Sequence, residues 1–266
     1  MKNMAKTSRI ANRPSRLVMI LQLFDRDRPV WTVEQMARAL GLSSSTIYRH
    51  VRNLVKGGFL DPVSGAAYAL GPAFVRFDQI LRHTDPLSQI AAPVMQDLLK
   101  HTSEACVVIV CRKFKDCVMC VQEARGSKFR GQIGYERGVT MPLFIGATSK
   151  VILAQLPDRQ LKSVYLDNGE TIHRVLRASN WHEFRAQIKD IREAGYALTR
   201  GEVAANRVGL AVPIARNGKA FASISLVGTG KMWDDKKKVD AFIRHVRAAA
   251  AQISRALARQ SPVVSR

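Results

Sequence analysis

Two capped helices separated by a three-residue turn constrain this chain more than any other feature. Thr32 and Gln35 form a threonine/glutamine capping box. Val33, Met36, Ala37 and Leu40 then recur at helical spacing, and Gly41 supplies the left-handed residue at which a helix stops. Leu42 falls in the turn, and Ser43 caps the next helix, whose inward stripe is Ile47, Val51, Leu54 and Val55. Two short helices joined through Gly41-Leu42-Ser43 read as a helix-turn-helix. Upstream, Leu17, Ile20, Leu21 and Phe24 keep helical spacing as far as Arg28-Pro29. Downstream, Gly57-Gly58 ends the helix, and Phe59-Leu60 and Tyr68-Ala69-Leu70 flank the turn Asp61-Pro62-Val63-Ser64-Gly65. That short hairpin is the wing of a winged helix.

The outward face of the second helix of the pair carries Ser44, Ser45, Tyr48, Arg49 and Arg52. Hydroxyls and guanidinium forks suit base edges and phosphates. With Arg16, Thr32, Ser43, Thr46 and Lys56 they form the candidate contacts to double-stranded DNA. The alternative is a three-helix bundle whose serines only cap a helix, and the charge weighs against it. Lysine plus arginine is 42 against 21 acids, a net +21, the footprint of a phosphate-rich partner that ribosomal and membrane-surface proteins share. Residues 1–71 hold 11 Lys/Arg against 4 Asp/Glu, and the rest 31 against 17. The excess beyond residue 71 widens a DNA footprint or draws an anionic ligand.

A length of 266 residues suggests about two domains. A winged helix over 1–71 leads into a linker helix over 72–84 with apolar Phe74, Val75, Phe77, Ile80 and Leu81, and Asp85-Pro86 opens a third segment, 85–266. There the pattern is mixed: a helix to about His101, a hairpin of 105–111 and 117–122, a strand around Lys128 to Tyr135, and helices near 146–156, 158–166 and 181–194. Strands follow at 196–199, 207–215 and 220–227, the last two joined by Asn217-Gly218, and a helix runs from about Asp234 to Leu257. The fold class is α+β, an antiparallel sheet with helices packed on it. The longest uncharged stretch, Pro62 to Val75, is too short to span a bilayer. The basic start (Lys2, Lys6, Arg9, Arg13, Arg16) leads into Leu17–Phe24 without a small-residue cleavage site, so a cytoplasmic protein with no membrane partner is expected.

All four cysteines fall between Cys106 and Cys120, which first suggests a metal. Cys117 and Cys120, three apart on a strand, point to opposite faces and cannot share an ion, so buried inert thiols are expected and no metal. Cys111 and Cys117 share parity across the turn, which leaves a thiol sensor open. The histidines (His50, His83, His101, His173, His182, His245) are scattered and lack metal-ligand spacing, and no phosphate-binding glycine fingerprint occurs. Neither catalytic residues nor a cofactor are expected. A nucleoid protein that uses charge without a ligand is the other class considered, and the large segment 85–266, with its apolar strands, is more than such a protein needs.

Several stretches resemble the IclR family of bacterial transcriptional regulators, from about Ser15 to Leu257. They are Gly41-Leu42-Ser43-Ser44-Ser45-Thr46-Ile47-Tyr48-Arg49, Tyr68-Ala69-Leu70-Gly71-Pro72, Gly138–Leu143 leading to Ala147-Thr148-Ser149-Lys150, Gly195–Leu198 with Glu202, Leu210–Ile214 and Ala222–Ser225. The resemblance implies a winged helix-turn-helix, a linker helix and a GAF-like effector and oligomerisation domain. It further implies a homodimer or dimer of dimers on a palindromic operator, with affinity changed by a small molecule, often a carboxylate or aromatic metabolite. This chain departs from the pattern at Phe144-Ile145-Gly146, at Ser149, at Asn206-Arg207, where glycine and an aliphatic residue are usual, and at Val227.

The expected effector site lies between the sheet and Met141 to Lys150. Leu143, Phe144 and Ile145 would wall it, and backbone N–H groups of Ala147, Thr148 and Ser149 with Ser223 or Ser225 would be its polar handles; Met141, Gly146, Gly209 and Pro213 complete the candidate set. A helix start favours an anionic head group, and the apolar wall an aromatic or branched aliphatic body. Ser223 and Ser225 share one face of their strand, either toward solvent or toward the pocket.

Overall fold

The capping chemistry around Thr32 and Ser43 builds the first unit, which ends at Thr84. The computed structural model describes residues 14–260; Lys2, Lys6, Arg9 and Arg13 of the basic start lie outside them. Helix α1 (Arg16–Leu21) is capped by Ser15 and is followed by β1 (Trp31–Thr32) and α2 (Val33–Leu40). Both halves of the capping box at Thr32 and Gln35 are formed, and Gly41 ends α2 with φ +64°. Helix α3 (Ser44–Lys56), capped by Ser43, buries Ile47, Val51 and Leu54 against Ile20, Met36 and Ala37. Each large apolar side chain buried in this way contributes about 1.5 to 3 kcal/mol. Strands β2 (Leu60–Val63) and β3 (Ala67–Leu70) form the wing, and α4 (Ala73–Thr84) closes the unit. The wing is a three-stranded sheet of order β1-β3-β2, because Trp31 pairs with Tyr68. Helix α1 is shorter than its apolar stripe, since the chain turns after Leu21 and Leu23 N–H bonds the Ile20 carbonyl.

The second unit starts at Asp85. Asp85 caps α5 (Pro86–His101), and β4 (Val107–Phe114) and β5 (Cys117–Arg125) follow as a hairpin with a two-residue turn at Lys115-Asp116. The expected polar break at Arg112 is instead strand, because alternation carries the pairing to Phe114. After β6 (Thr140–Pro142) come α6 (Gly146–Leu153), α7 (Asp158–Leu176) and α8 (Trp181–Ala194). Helix α7 runs ten residues past the expected 166 because its apolar stripe continues through Ile172 and Leu176, with a kink at Asn168. Strands β7 (Ala197–Arg200), β8 (Arg207–Arg216) and β9 (Lys219–Thr229) precede α9 (Lys236–Arg259), which Asp235 caps.

These strands form one antiparallel sheet of order β6-β5-β4-β9-β8-β7. Strand alternation sorts the core into two layers. Val108, Val110, Leu210, Ile224 and Leu226 pack under α5 and α9, whereas Val107, Ile109, Cys111, Ala211 and Val227 face α6, α7 and α8. Residues 128–135 are not the expected strand. Gly131 and Gly134 adopt φ +91° and +73°, which breaks the extended geometry and turns Phe129, Ile133 and Tyr135 inward as a loop.

The cysteine pairing also differs from expectation. Cys111 lies opposite Cys120, and Cys117 opposite Phe114, because the two-residue turn at Lys115-Asp116 sets the register as far as Cys111, beyond which a bulge shifts it. Cys106, Cys111 and Cys120 are buried free thiols and Cys117 is half-buried. Among the described residues no cluster of His, Cys, Asp and Glu could hold a metal ion.

Candidate DNA-reading helix and effector cleft

Helix α3 divides cleanly into an inner and an outer face. Ser44, Ser45, Tyr48, Arg49 and Arg52 are exposed, as is Lys56 at its last turn, and the helix contains no acidic residue. Its cations, Arg49, Arg52 and Lys56, therefore share the exposed face with no acid on the helix, from its middle to its last turn, while Ser44 and Ser45 lie at the N-terminal end where recognition helices approach base edges. Ser43 and Thr46 are partly spent on the cap: the Ser43 hydroxyl accepts from Thr46 N–H at 3.4 Å and lies 2.8 Å from the Thr46 hydroxyl. Thr32 is likewise engaged, accepting from Gln35 N–H at 3.3 Å, and Arg16 is exposed on α1. Sequence reasoning missed Arg28, whose guanidinium lies 3.4 Å from the Trp31 ring centroid at the base of the wing. The proximity of Arg28 and Trp31 in the sequence was the available signal.

In the second unit, α6 begins against a ring of polar groups. Gly146 starts the helix with φ +77°, and a Cβ there would lie 2.8 Å from the Tyr135 hydroxyl. No side chain of residue 145 caps the helix; the exposed N–H groups are met from β7 and the loop after it. Gly146 N–H donates to Glu202 Oε2 at 2.9 Å, and Ala147 N–H to Thr199 Oγ1 at 3.1 Å. Lys150, one turn on, places Nζ 2.5 Å from Glu202 Oε1. A carboxylate of the chain itself thus occupies the helix start, where positive potential and free N–H groups favour an anion.

The opposite side of α6 is fastened to the central strand. Ser225 Oγ lies 2.8 Å from Thr148 Oγ1, and Ser223 Oγ donates to the Thr148 carbonyl at 3.0 Å. Both serines are fully buried, so they face the helix rather than solvent. Tyr135 donates its hydroxyl hydrogen to the Ile145 carbonyl at 2.8 Å, which makes Ser149 the donor in the 2.9 Å Tyr135–Ser149 contact. Burial pushes the Tyr135 phenol far above its ordinary range, which keeps it neutral.

A small cleft of about 30 Å³ remains at this helix start, lined by Ile133, Tyr135, Gly146, Ala147, Thr148, Thr199, Glu202, Val203, Arg207, Gly209 and Val227. That is room for a water or two. Of the residues named from the sequence, Gly146, Ala147, Thr148 and Gly209 line it. Leu143 and Phe144 are in the core between sheet and helices, Met141 and Ile145 pack beside them, Pro213 pairs with Ser223 across β8 and β9, and Ser149, Ser223 and Ser225 hold α6 in place. Tyr135, Thr199, Glu202 and Arg207 were missed as lining residues. Their signal was weak, since three lie in or beside glycine-containing loops, although the arginine at 207 was visible as a departure. A wider cleft of about 250 Å³ lies between the β4–β5 turn and α7. Several of its polar groups are already engaged, Lys113 donating to the Lys115 carbonyl, Ser163 to Asp167 and Asn168 to the Val164 carbonyl.

A winged helix-turn-helix with a cation-bearing outer helix, followed by a layered sheet unit with a buried cleft, is the plan of a two-part DNA-binding regulator. Residues 14–64 match the family model of the IclR helix-turn-helix domain, and residues 79–255 that of the bacterial transcriptional regulator IclR C-terminal domain. The chain belongs to the IclR family of bacterial transcriptional regulators. It is 26% identical over 238 residues to the HTH-type transcriptional regulator KipR of Bacillus subtilis, covering 89% of this chain and 93% of that one. To XynR of Escherichia coli it is 23% identical over 246 residues, covering 91% and 95%. The fold is shared with an IclR family transcriptional regulator from Brucella abortus (TM-score 0.73, 20% identity, 91% and 90% covered). It is also shared with an IclR homolog from Microbacterium hydrocarbonoxydans complexed with 4-hydroxybenzoate (TM-score 0.70, 22% identity, 92% and 98% covered).

Proposed function

We propose that this regulator reads a palindromic DNA operator with α3 and the wing, and that a small organic carboxylate, aromatic or branched aliphatic, binds the second unit and changes operator affinity. The observation that carries the DNA reading is the acid-free outer face of α3, with Tyr48, Arg49, Arg52 and Lys56 exposed together. Palindromic recognition requires two copies. Helix α4 supports a homodimer or dimer of dimers, because none of its residues is buried and Val75, Phe77, Ile80 and Leu81 are exposed apolar side chains. The domain reading is a DNA-binding segment 1–71, a linker 72–84 and an effector segment 85–266.

The carboxylate reading is supported by the buried guanidinium of Arg207 in the cleft lining, by the apolar lining from Ile133, Val203 and Val227, and by the 4-hydroxybenzoate in the Microbacterium structure. The relatives are regulators, and this reading involves no catalysis and no cofactor. Among the described residues no helix is long and apolar enough to cross a membrane; the reading places the protein at cytoplasmic DNA because its family regulates bacterial transcription. The test is fluorescence anisotropy of the full chain on its own upstream DNA across a salt series, with and without benzoates and branched-chain acids. Affinity that falls with salt and shifts with an acid is the expected result. Binding indifferent to sequence, or to every acid, would sink the corresponding half of the reading.

A further inference from the structure

We infer that Arg207 is the anion anchor of the effector cleft, and that it, rather than the start of α6, takes the ligand's carboxylate. This rests on the effector reading above and names the residue that would set its charge preference. Arg207 is the first residue of β8 and is only 9% exposed. One terminal nitrogen, Nη2, donates to the Arg130 carbonyl at 2.5 Å, and the guanidinium carbon lies 4.5 Å from the Phe129 ring centroid. The other, Nη1, is buried without a hydrogen-bond partner among the described residues, and Arg207 lines the cleft. An arginine stays charged, and a buried charge lacking a partner is costly. Ring and carbonyl hold the guanidinium in place while leaving N–H hydrogens to donate.

The alternative anion position is already filled. Glu202 occupies Gly146 N–H and the Lys150 ammonium, so these three groups neutralise one another. What the cleft offers a guest is therefore one unmatched positive charge, at Arg207. Thr199, whose oxygen accepts from Ala147 N–H, keeps its own hydroxyl hydrogen for a second ligand oxygen. Ile133, Val203 and Val227 supply apolar contact for the body. The free space of about 30 Å³ does not hold such a body, so the loop 201–206, which carries Glu202 and Val203, has to move outward as it enters. Gly131 belongs to the same device. Its φ is +91°, and a Cβ there would lie 2.7 Å from Arg207 Nη2, so any larger residue displaces the guanidinium from its seat.

The experiment is calorimetry on the full chain with benzoate, 4-hydroxybenzoate and isovalerate, each beside its neutral primary amide, and with inorganic phosphate. Wild type should bind at least one acid about 10- to 100-fold more tightly than its amide, the worth of one charge-assisted hydrogen bond. Arg207→Gln should bring acid and amide to near-equal affinity, and Arg207→Lys should keep part of the preference. If Arg207→Gln fails to fold, Gly131→Ala, which leaves the charge but moves it, should reduce the acid preference in its place. An acid bound with the same preference in wild type and in these variants overturns the anchor while leaving the effector reading intact. If wild type binds none of the acids, the carboxylate reading fails and the anchor with it; binding of phosphate in preference to every acid assigns Arg207 a different anion and overturns the carboxylate role.

Discussion

The Lys150 ammonium and the Glu202 carboxylate meet at 2.5 Å, joining α6 to the loop after β7, with side-chain exposures of 9% and 21%. Removing one member of so buried a pair strands the other, at a cost of about 3 to 5 kcal/mol. Lys150→Met should therefore lower the thermal midpoint of the second unit strongly, and adding Glu202→Gln should recover most of the loss. A double variant as unstable as the single one would mean that the shape of the side chains, and not the charge pairing, holds this corner.

Arg49 is exposed midway along α3, and Lys56 at its end. Arg49→Ala should weaken operator binding by about 1 to 3 kcal/mol and relax preference at one base pair, as expected for a guanidinium on a guanine. Lys56→Ala should instead weaken all sequences alike and reduce the salt slope by about one counterion. Both are read from anisotropy titrations on the operator and on scrambled DNA, and equal effects of Arg49→Ala on the two DNAs would make Arg49 a backbone contact.

The thiols separate by burial. Desolvation raises the Cys106 thiol to about 12, and raises Cys111, which also faces Cys120, well above its ordinary value of 9.0. Cys117 is raised less far and is half-buried. At pH 8 a colorimetric disulfide reagent should label Cys117 first, and Cys117→Ser should abolish the fast phase. The unfolded Cys106 thiol ionises from about pH 9 while the folded one stays neutral, so its stabilising share is complete below 9 and is lost as pH rises toward 12. The fall in thermal midpoint between pH 9 and 11 should accordingly be steeper in wild type than in Cys106→Ala; parallel curves would assign the alkaline loss to other groups.

Gly71 follows the wing, and a Cβ at that position would lie 2.4 Å from the Gly58 carbonyl oxygen. Backbone has to shift to accept it, a cost of about 1 to 3 kcal/mol. Gly71→Ala should lower the thermal midpoint of the first unit and leave that of the second unchanged, in scanning calorimetry.

The first unit was legible because its signals are local. Thr32 with Gln35, Gly41 and Ser43 each satisfy backbone groups within four residues, so their pattern in the sequence is their structure. The two-residue β1 was not, since a strand that short has no periodicity. In the second unit the parity of Ser223 and Ser225 was readable, but their partner was not, because it depends on how α6 docks across the sheet. The stretch 128–135 carries strand-like apolar residues, and only the positive φ of Gly131 and Gly134 turns it into the wall of a cleft. Glu202 stood in plain view within the family signature; that it would neutralise Lys150 rests on tertiary contact alone.

The bonds from Ser223 and Ser225 to Thr148, and from Thr199 to Ala147, have an evolutionary corollary. They make the base of the cleft a fixed platform in which Ser223, Ser225, the Thr148 side chain and carbonyl and the Ala147 N–H are already committed to the scaffold. Selectivity can then be rewritten at the rim, in the loops 126–139 and 201–206 and at Arg207 where the second of them enters β8, without loosening the platform. A descendant that answers to a different metabolite needs new residues only where the chain arcs over the opening, and keeps the same floor.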